Sequence, residues 1–411
     1  MTHRLVVSLG CFLTCLPGLS AGDWPGWRGP LGTGVADEKG LPVRWSATEG
    51  IRWKVPLAGN GASSPTVSGD RVFLTASDGR ASDQLHVYAF DRATGRLVWH
   101  RRFFGSAQPE GQFGPGGMAV PTACTDGQRV YTLFGTGDLI CLDWEGRPVW
   151  IRSLAEEYGP FRNRWGMGAS PILVNGMVVV QVDHWGQSYL LAVDAKTGAN
   201  RWKTLREASV NWSSPVAVRV GGRTQIITTG TYRVKGYDAD SGAELWTVSG
   251  LMMQCIPTPV VHQGLAYAVS GRRGDTLAIR LDENARGDLT ASHVVWKKSR
   301  GAPFVPSGLC YGREYYLVDD NGMATCLDAA TGELRWQERL GGKFHASPVA
   351  GDGKIYFGSL EGTVTVIEAS PKFNLLSRNQ LGEGIIAGLA LAGGNIFVRT
   401  EKHLYCIGPD H

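Results

Sequence analysis

The chain has 411 residues, 43% of them hydrophobic and 19% charged, so it can bury a sizeable core and is not globally disordered. Lys+Arg 41 against Asp+Glu 37 leaves +4, too even a balance for a surface organised around nucleic-acid phosphates. Glycine is the outlier at 56 residues, about twice the usual ~7%; with 20 Pro and 14 Trp it predicts many short strands joined by tight turns rather than helices.

Residues 1–21 read as an export signal. Arg4 gives a positive start, 5–16 is an uncharged and mostly apolar stretch, and Leu19-Ser20-Ala21 ends on small residues. The expected compartment is therefore periplasmic or extracellular. No later segment approaches the ~20 uninterrupted apolar residues of a membrane span. Residues 22–44 are expected to form an N-terminal extension, and 45–408 the folded body.

The body is an internal repeat. Seven copies start around Pro65, Pro121, Pro171, Pro215, Pro259, Pro306 and Pro348, 42 to 56 residues apart, and a degenerate eighth starts near Ala387. Each then has a glycine-containing turn, such as Asn175-Gly176 or Asp352-Gly353, of the kind that closes two-residue hairpins. The strands that return are apolar and β-branched or aromatic, for example Val178-Val179-Val180. A second hairpin carries a recurring Asp, Gly and Trp: Asp91, Gly95 and Trp99; Asp194, Gly198 and Trp202; Asp238, Gly242 and Trp246; Asp328, Gly332 and Trp336. Asp143, Gly146 and Trp150 form a copy one residue shorter. Asp accepts backbone N–H bonds two or three residues on, and Gly supplies the left-handed position.

Each copy thus predicts four short antiparallel strands, the content of one propeller blade. A single such sheet would leave both faces wet; eight around an axis bury them. The expected fold is all-β, an eight-bladed β-propeller. The last copy supplies only three strands, and 51–57 at the start provides the fourth, with Trp53 in the outer-strand role. The expected docking tryptophans are Trp53, Trp99, Trp150, Trp202, Trp246, Trp296 and Trp336. The rival, two tandem β-sandwiches, does not explain the repeated Asp-Gly-Trp pattern. Cys141, Cys326 and Cys406 share a repeat position held elsewhere by Ala or Gly, which predicts small buried free thiols rather than disulfides. With no CxxC, zinc is not expected.

At these residues the sequence resembles the PQQ-like (quinoprotein-type) β-propeller repeat family. The copies at 89–99 and 192–202 look like that family's tryptophan-docking motif. Asp23-Trp24-Pro25-Gly26-Trp27-Arg28-Gly29-Pro30 is similar to the start of many exported members. The resemblance implies either a quinone-dependent alcohol or sugar dehydrogenase or a non-catalytic propeller such as the outer-membrane protein assembly factor BamB. The adjacent cysteine pair that such dehydrogenases place over the quinone is missing, as are CxxCH, GxSxG, HExxH and a phosphate loop.

The favoured expectation is therefore an exported, non-catalytic scaffold with no cofactor. Its partner would be an envelope protein or peptide, or a small ligand at the channel mouth, and it would act as a monomer. The alternatives are a pyrroloquinoline-quinone dehydrogenase with calcium and a carbohydrate-binding propeller. The loops entering the first strands supply the candidate ligand residues: Arg164 and Trp165, Asn211 and Trp212, Lys343 and His345. Arg and Lys beside indoles could clamp an anionic planar ligand; the alternative is that these loops simply plug the channel. Asn211-Trp212-Ser213 also matches a glycosylation triplet, read as a chance match. Connections 101–118 and 153–167 are expected to be long loops that form an aromatic rim.

Overall fold

A computed structural model describes residues 22–108, 116–270 and 274–408; the export reading of 1–21 lies outside them. The chain forms eight antiparallel sheets of four strands each, one carrying a short fifth strand. Blade 1 comprises Thr66–Ser68, Arg71–Asp78, Gln84–Asp91 and Leu97–Phe104. Blades 2 to 7 repeat this order, beginning at Cys124–Thr125, Ile172–Val174, Val216–Val220, Val260–His262, Leu309–Tyr311 and Val349–Gly351. Middle strands such as Met177–Val182 are wholly buried, as expected where both faces of a blade are covered by neighbours. Outer strands such as Asn200–Leu205 alternate between exposed and half-buried.

Blade 8 is built from both ends of the described chain. Ile51–Pro56 pairs antiparallel with His403–Ile407, Lys54 opposite Tyr405 and Val55 opposite Leu404. A polar clasp reinforces the seam. The Glu383 carboxylate takes the Thr400 hydroxyl at 2.6 Å, lies 2.7 Å from His403 Nδ1, and takes Lys54 Nζ at 3.3 Å. Partial burial would raise its pKa, but these three donors outweigh it and hold the carboxyl at about 2. Blade 8 is joined to blade 1 by buried Arg399, whose Nη1 donates to the Ser63 hydroxyl at 2.6 Å and the Thr75 carbonyl at 2.7 Å.

Six tryptophans lock each blade to the next. Trp53, Trp99, Trp150, Trp202, Trp296 and Trp336 donate from Nε1 to the carbonyls of Arg92, Trp144, Ala195, Ala239, Ala329 and Ser370 at 2.9–3.2 Å. In five of them the ring lies over the turn glycine of the next blade: a Cβ on Gly95, at φ 71°, would sit 2.7 Å from the Trp53 ring. Only glycine fits there, on both space and backbone grounds. Trp336 instead packs edge-on against Phe373. Trp246 behaves differently. It donates to Gln225 Oε1 at 2.8 Å inside its own blade, over Gly236, where a side chain would collide with it. The cause is blade 5, which has an insertion in place of the Asp–Gly turn; Gly287–Asp288 pairs in parallel beside Trp246 and Thr247. Blade 7 carries Ser377 at the tryptophan position, and residues 43–45 cover it: Asn379 donates to the Val43 carbonyl at 2.9 Å and accepts from Trp45 N at 3.1 Å.

The segment 23–36 lies inside the central channel. Trp24 exchanges two backbone bonds with Val67 on the inner strand of blade 1, at 2.7 and 2.8 Å. Pro25 accepts from Thr125 N of blade 2, and Gly34 and Ala36 bond Ala350 of blade 7. Between these anchors the chain reverses through left-handed residues at Arg28, Gly29, Gly32 and Gly34. Arg28 is buried and donates to the Gly308 carbonyl of blade 6.

Two loop expectations change. Within 101–118, residues 101–104 are not loop: they complete the outer strand Leu97–Phe104, and 109–115 lie outside the described residues. Within 153–167, Leu154–Tyr158 forms one helical turn capped by Ser153. Capping draws on the Ser153 hydroxyl accepting Glu156 N, a local signal that the glycine-rich surroundings masked.

Candidate functional site

In each blade the connection entering the first strand and the loop between the second and third strands lie at one end of the barrel-like ring. Just inside that end runs a belt of hydroxyls. Ser64 N donates to Thr122 Oγ1 at 2.8 Å, Thr122 N to Ser170 Oγ at 3.0 Å, and Ser170 N to Ser214 Oγ at 2.8 Å. Thr258 N then donates to Ser307 Oγ at 3.0 Å, and Ser307 N to Ser347 Oγ at 2.9 Å. In five blades the hydroxyl precedes the proline, as in Ser64-Pro65; in Pro121-Thr122 and Pro306-Ser307 the order reverses. The belt, not the proline, is thus the true register mark. The eighth position is Gly388, where the Trp27 ring fits instead; Trp27 Nε1 reaches Thr258 Oγ1 at 2.9 Å. Trp27 therefore floors this end of the channel.

Two residues before each belt position stand Ala62, Val120, Gly168, Trp212, Ile256, Val305, His345 and Ile386. Each is at least partly exposed. Eight equivalent positions make a collar around the channel mouth, apolar except for His345. Surrounding protein desolvates that imidazole and lowers its pKa, with Asp320 partly opposing.

The predicted ligand residues divide across this mouth. Trp165 and Trp212 meet at 5.9 Å between ring centroids, with planes 66° apart, and Arg164 is exposed beside them. Lys343 and His345 belong to the connection between blades 6 and 7, on the far side of the ring. Asn211 is buried and spent: it donates to Ser209 O at 2.8 Å and accepts from Cys255 N at 2.9 Å, which also takes it out of reach of glycosylation. It abuts a buried ion pair, Asp183–Arg206, whose nearest approach is 2.8 Å.

Three features were missed from the sequence. Trp185 packs 6.0 Å from Trp165, and Tyr232, Met252 and Met253 lie on the neighbouring connections of blades 4 and 5. Trp165, Trp185, Tyr232, Met252 and Met253 are 44–55% exposed. A tryptophan within the short loop 183–188 was the available signal for the first. The Trp27 floor was the second, and the belt itself the third.

The model of a family described as "Outer membrane protein assembly factor BamB" matches residues 33–111, 83–298 and 289–372. The chain belongs to this PQQ-like repeat family. Among similar proteins is the polyvinylalcohol dehydrogenase of Sphingopyxis sp. (strain 113P3), 23% identical over 82% of this chain; the chain spans about half, 54%, of that relative. The fold superposes on the quinohemoprotein alcohol dehydrogenase from Comamonas testosteroni with TM-score 0.71 at 13% identity, over 96% of this chain and 82% of that one. It also superposes on BamB from Moraxella catarrhalis with TM-score 0.63 at 16% identity, over 87% and 99%. At such identities the likeness is one of fold.

Dehydrogenases of this fold raise the question of a quinone and calcium, and the eight collar positions themselves supply few ligands for either. The collar offers one imidazole and no carboxylate, and the belt hydroxyls described above accept backbone N–H bonds. Among the described residues no group of three or more His, Cys, Asp or Glu could hold a metal ion. The six cysteines among them are buried and free, and burial pushes the thiols of Cys141, Cys255, Cys326 and Cys406 up to about 12. Among the same residues no helix is long and apolar enough to cross a membrane.

Proposed function

We propose that this BamB-family chain is an exported, non-catalytic scaffold that binds a partner protein of the cell envelope through the loop-bearing end of blades 3 to 5. The observation that carries this reading is the cluster of Trp165, Trp185, Tyr232, Met252 and Met253. Most other exposed large apolar side chains stand on outer strands, such as Leu97, Val149, Leu205 and Leu334. Trp, Tyr, Met and Arg are the residue types enriched at the centres of protein interfaces, and exposed Arg162, Arg164 and Arg233 flank this cluster. Adaptable methionines beside rigid indoles suit a surface that conforms to a partner.

The test is site-specific photo-crosslinking from position 185 in the producing cell. A discrete adduct that disappears in the Trp165→Ala/Met253→Asp variant supports the reading. The same purified protein, supplied with pyrroloquinoline quinone and calcium and assayed with an artificial electron acceptor over alcohols and sugars, should show no turnover above background. Robust turnover would replace the scaffold with the dehydrogenase alternative, which the similarity to the polyvinylalcohol dehydrogenase supports. The collar residues Trp212 and His345, with Arg164, Trp165 and Lys343 above them, remain the place where a small ligand would enter.

A further inference from the structure

The opposite end of the channel holds a different kind of surface. In a two-residue hairpin the residues flanking the turn bond each other, so the next residue back along the inner strand turns its N–H and C=O away from the blade, toward the channel. Ser68 pairs with Arg71 and Gly351 with Lys354, which leaves Val67 and Ala350 facing inward. Both residues bond the 23–36 segment through these outward groups at 2.7–2.9 Å, as Thr125 N of blade 2 bonds Pro25 O at 2.9 Å. The chain thus bridges its own inner edges with single β-type pairings.

The same pairing in blades 3, 4 and 5 is Val174 with Met177, Val220 with Arg223 and His262 with Leu265. It leaves Leu173, Arg219 and Val261 facing inward, and Ala217 one step further along the longest inner strand. Among the described residues none of these outward groups has a backbone partner. Burial follows the same division. Val67 and Ala350 are fully covered, whereas Leu173, Ala217 and Val261 are half-buried and Arg219 is exposed. The segment 23–36 fills the channel unevenly. Its tip, Pro30 and Leu31, is exposed, and the adjoining Gly32 approaches Val216 of blade 4. Arg219 has no ion pair among the described residues, while its neighbour Arg223 is held by Asp238 at 3.3 Å.

We infer that the inner edges of blades 3 to 5 receive an extended polypeptide from a partner. It enters from the hairpin-turn end, pairs in β fashion with Ala217 and Arg219, lays apolar side chains against Leu31, and brings an acidic group to the Arg219 guanidinium. The site continues the pairing surface already used by residues 23–36. It lies at the end of the ring opposite the Trp165–Trp185 cluster, so the two sites are independent.

The experiment selects a displayed random-decapeptide library against the full chain and, in parallel, against Ala217→Pro/Arg219→Pro. Proline removes the inward N–H groups while sparing the bonds to the blade, which use the alternate residues. Enriched peptides that bind the full chain at least tenfold more tightly than the proline variant, and equally well to Trp165→Ala/Trp185→Ala, are the expected result. No enrichment, or equal binding to the proline variant, would overturn the inference. A melting temperature within a few degrees of the parent checks that the variant is folded. If it is not, Leu31→Asp serves instead: it leaves every blade strand intact and should weaken the same peptides by a similar factor, and unchanged binding would be equally fatal.

Discussion

Replacing tryptophan by alanine should cost most at Trp246, the one of the seven that does not reach the next blade. Its side chain is 2% exposed, so removing it opens a cavity worth about 3–5 kcal/mol. It also strands the Gln225 Oε1 atom, on a residue that is fully buried, for about 1–3 kcal/mol more. Trp202 is half-buried, and losing it lets water reach the Ala239 carbonyl, so roughly 2–3 kcal/mol is expected. At about 2.1 cal/mol/K per residue, a chain of this length has an unfolding entropy of roughly 0.8 kcal/mol/K. Trp246→Ala should then lower Tm by about 5–10 °C and Trp202→Ala by about 3–4 °C, read by differential scanning calorimetry on both variants. If Trp202→Ala fell as far as Trp246→Ala or further, burial would not be what sets these costs, and the role assigned to the Gln225 bond would be wrong.

Glu383→Gln should destabilise the seam of blade 8 by about 2–3 kcal/mol at neutral pH, because the carboxyl is held at about 2, below its usual 4.5. The folded state binds the proton less readily than the unfolded chain. This stabilisation is therefore present above about pH 4.5 and is lost as pH falls toward 2, and acid titrations of parent and variant should converge there. Burial also lowers the pKa of His100, helped by the nearby charges of His86, Arg102 and Arg101 and opposed by Asp78. Its contribution should fade as pH falls below the ordinary histidine value of about 6.5, so His100→Asn should flatten the Tm profile between pH 7 and 5. Asp183→Asn leaves Arg206 charged and uncompensated, since both side chains are at most 3% exposed, and should cost about 3–5 kcal/mol in urea unfolding. The paired change Asp183→Leu/Arg206→Met should recover most of that loss.

The blades were legible in the sequence because their causes are local. Asn175-Gly176 and Asp352-Gly353 specify turns, strands such as Val178-Val179-Val180 alternate with them, and Asp194 beside Gly198 closes a turn whatever surrounds it. Closure by 51–56 followed from counting strands in the last copy. The prolines gave an approximate register, since the hydroxyl that bonds the neighbouring blade is only their sequence neighbour. What the sequence could not decide depends on contacts between distant residues. Trp246 turns inward because blade 5, some forty residues on, lacks a turn to receive it. Trp165 and Trp185 share one end of the ring with Tyr232 and Met253 only once blades 3 to 5 stand side by side. Residues 23–36 read only as part of an N-terminal extension, and their place in the channel follows from unpaired inner edges that exist only after the ring closes. Local chemistry therefore set what each blade is, while ring closure, which brings together residues more than two hundred positions apart, set which surfaces remain open for binding.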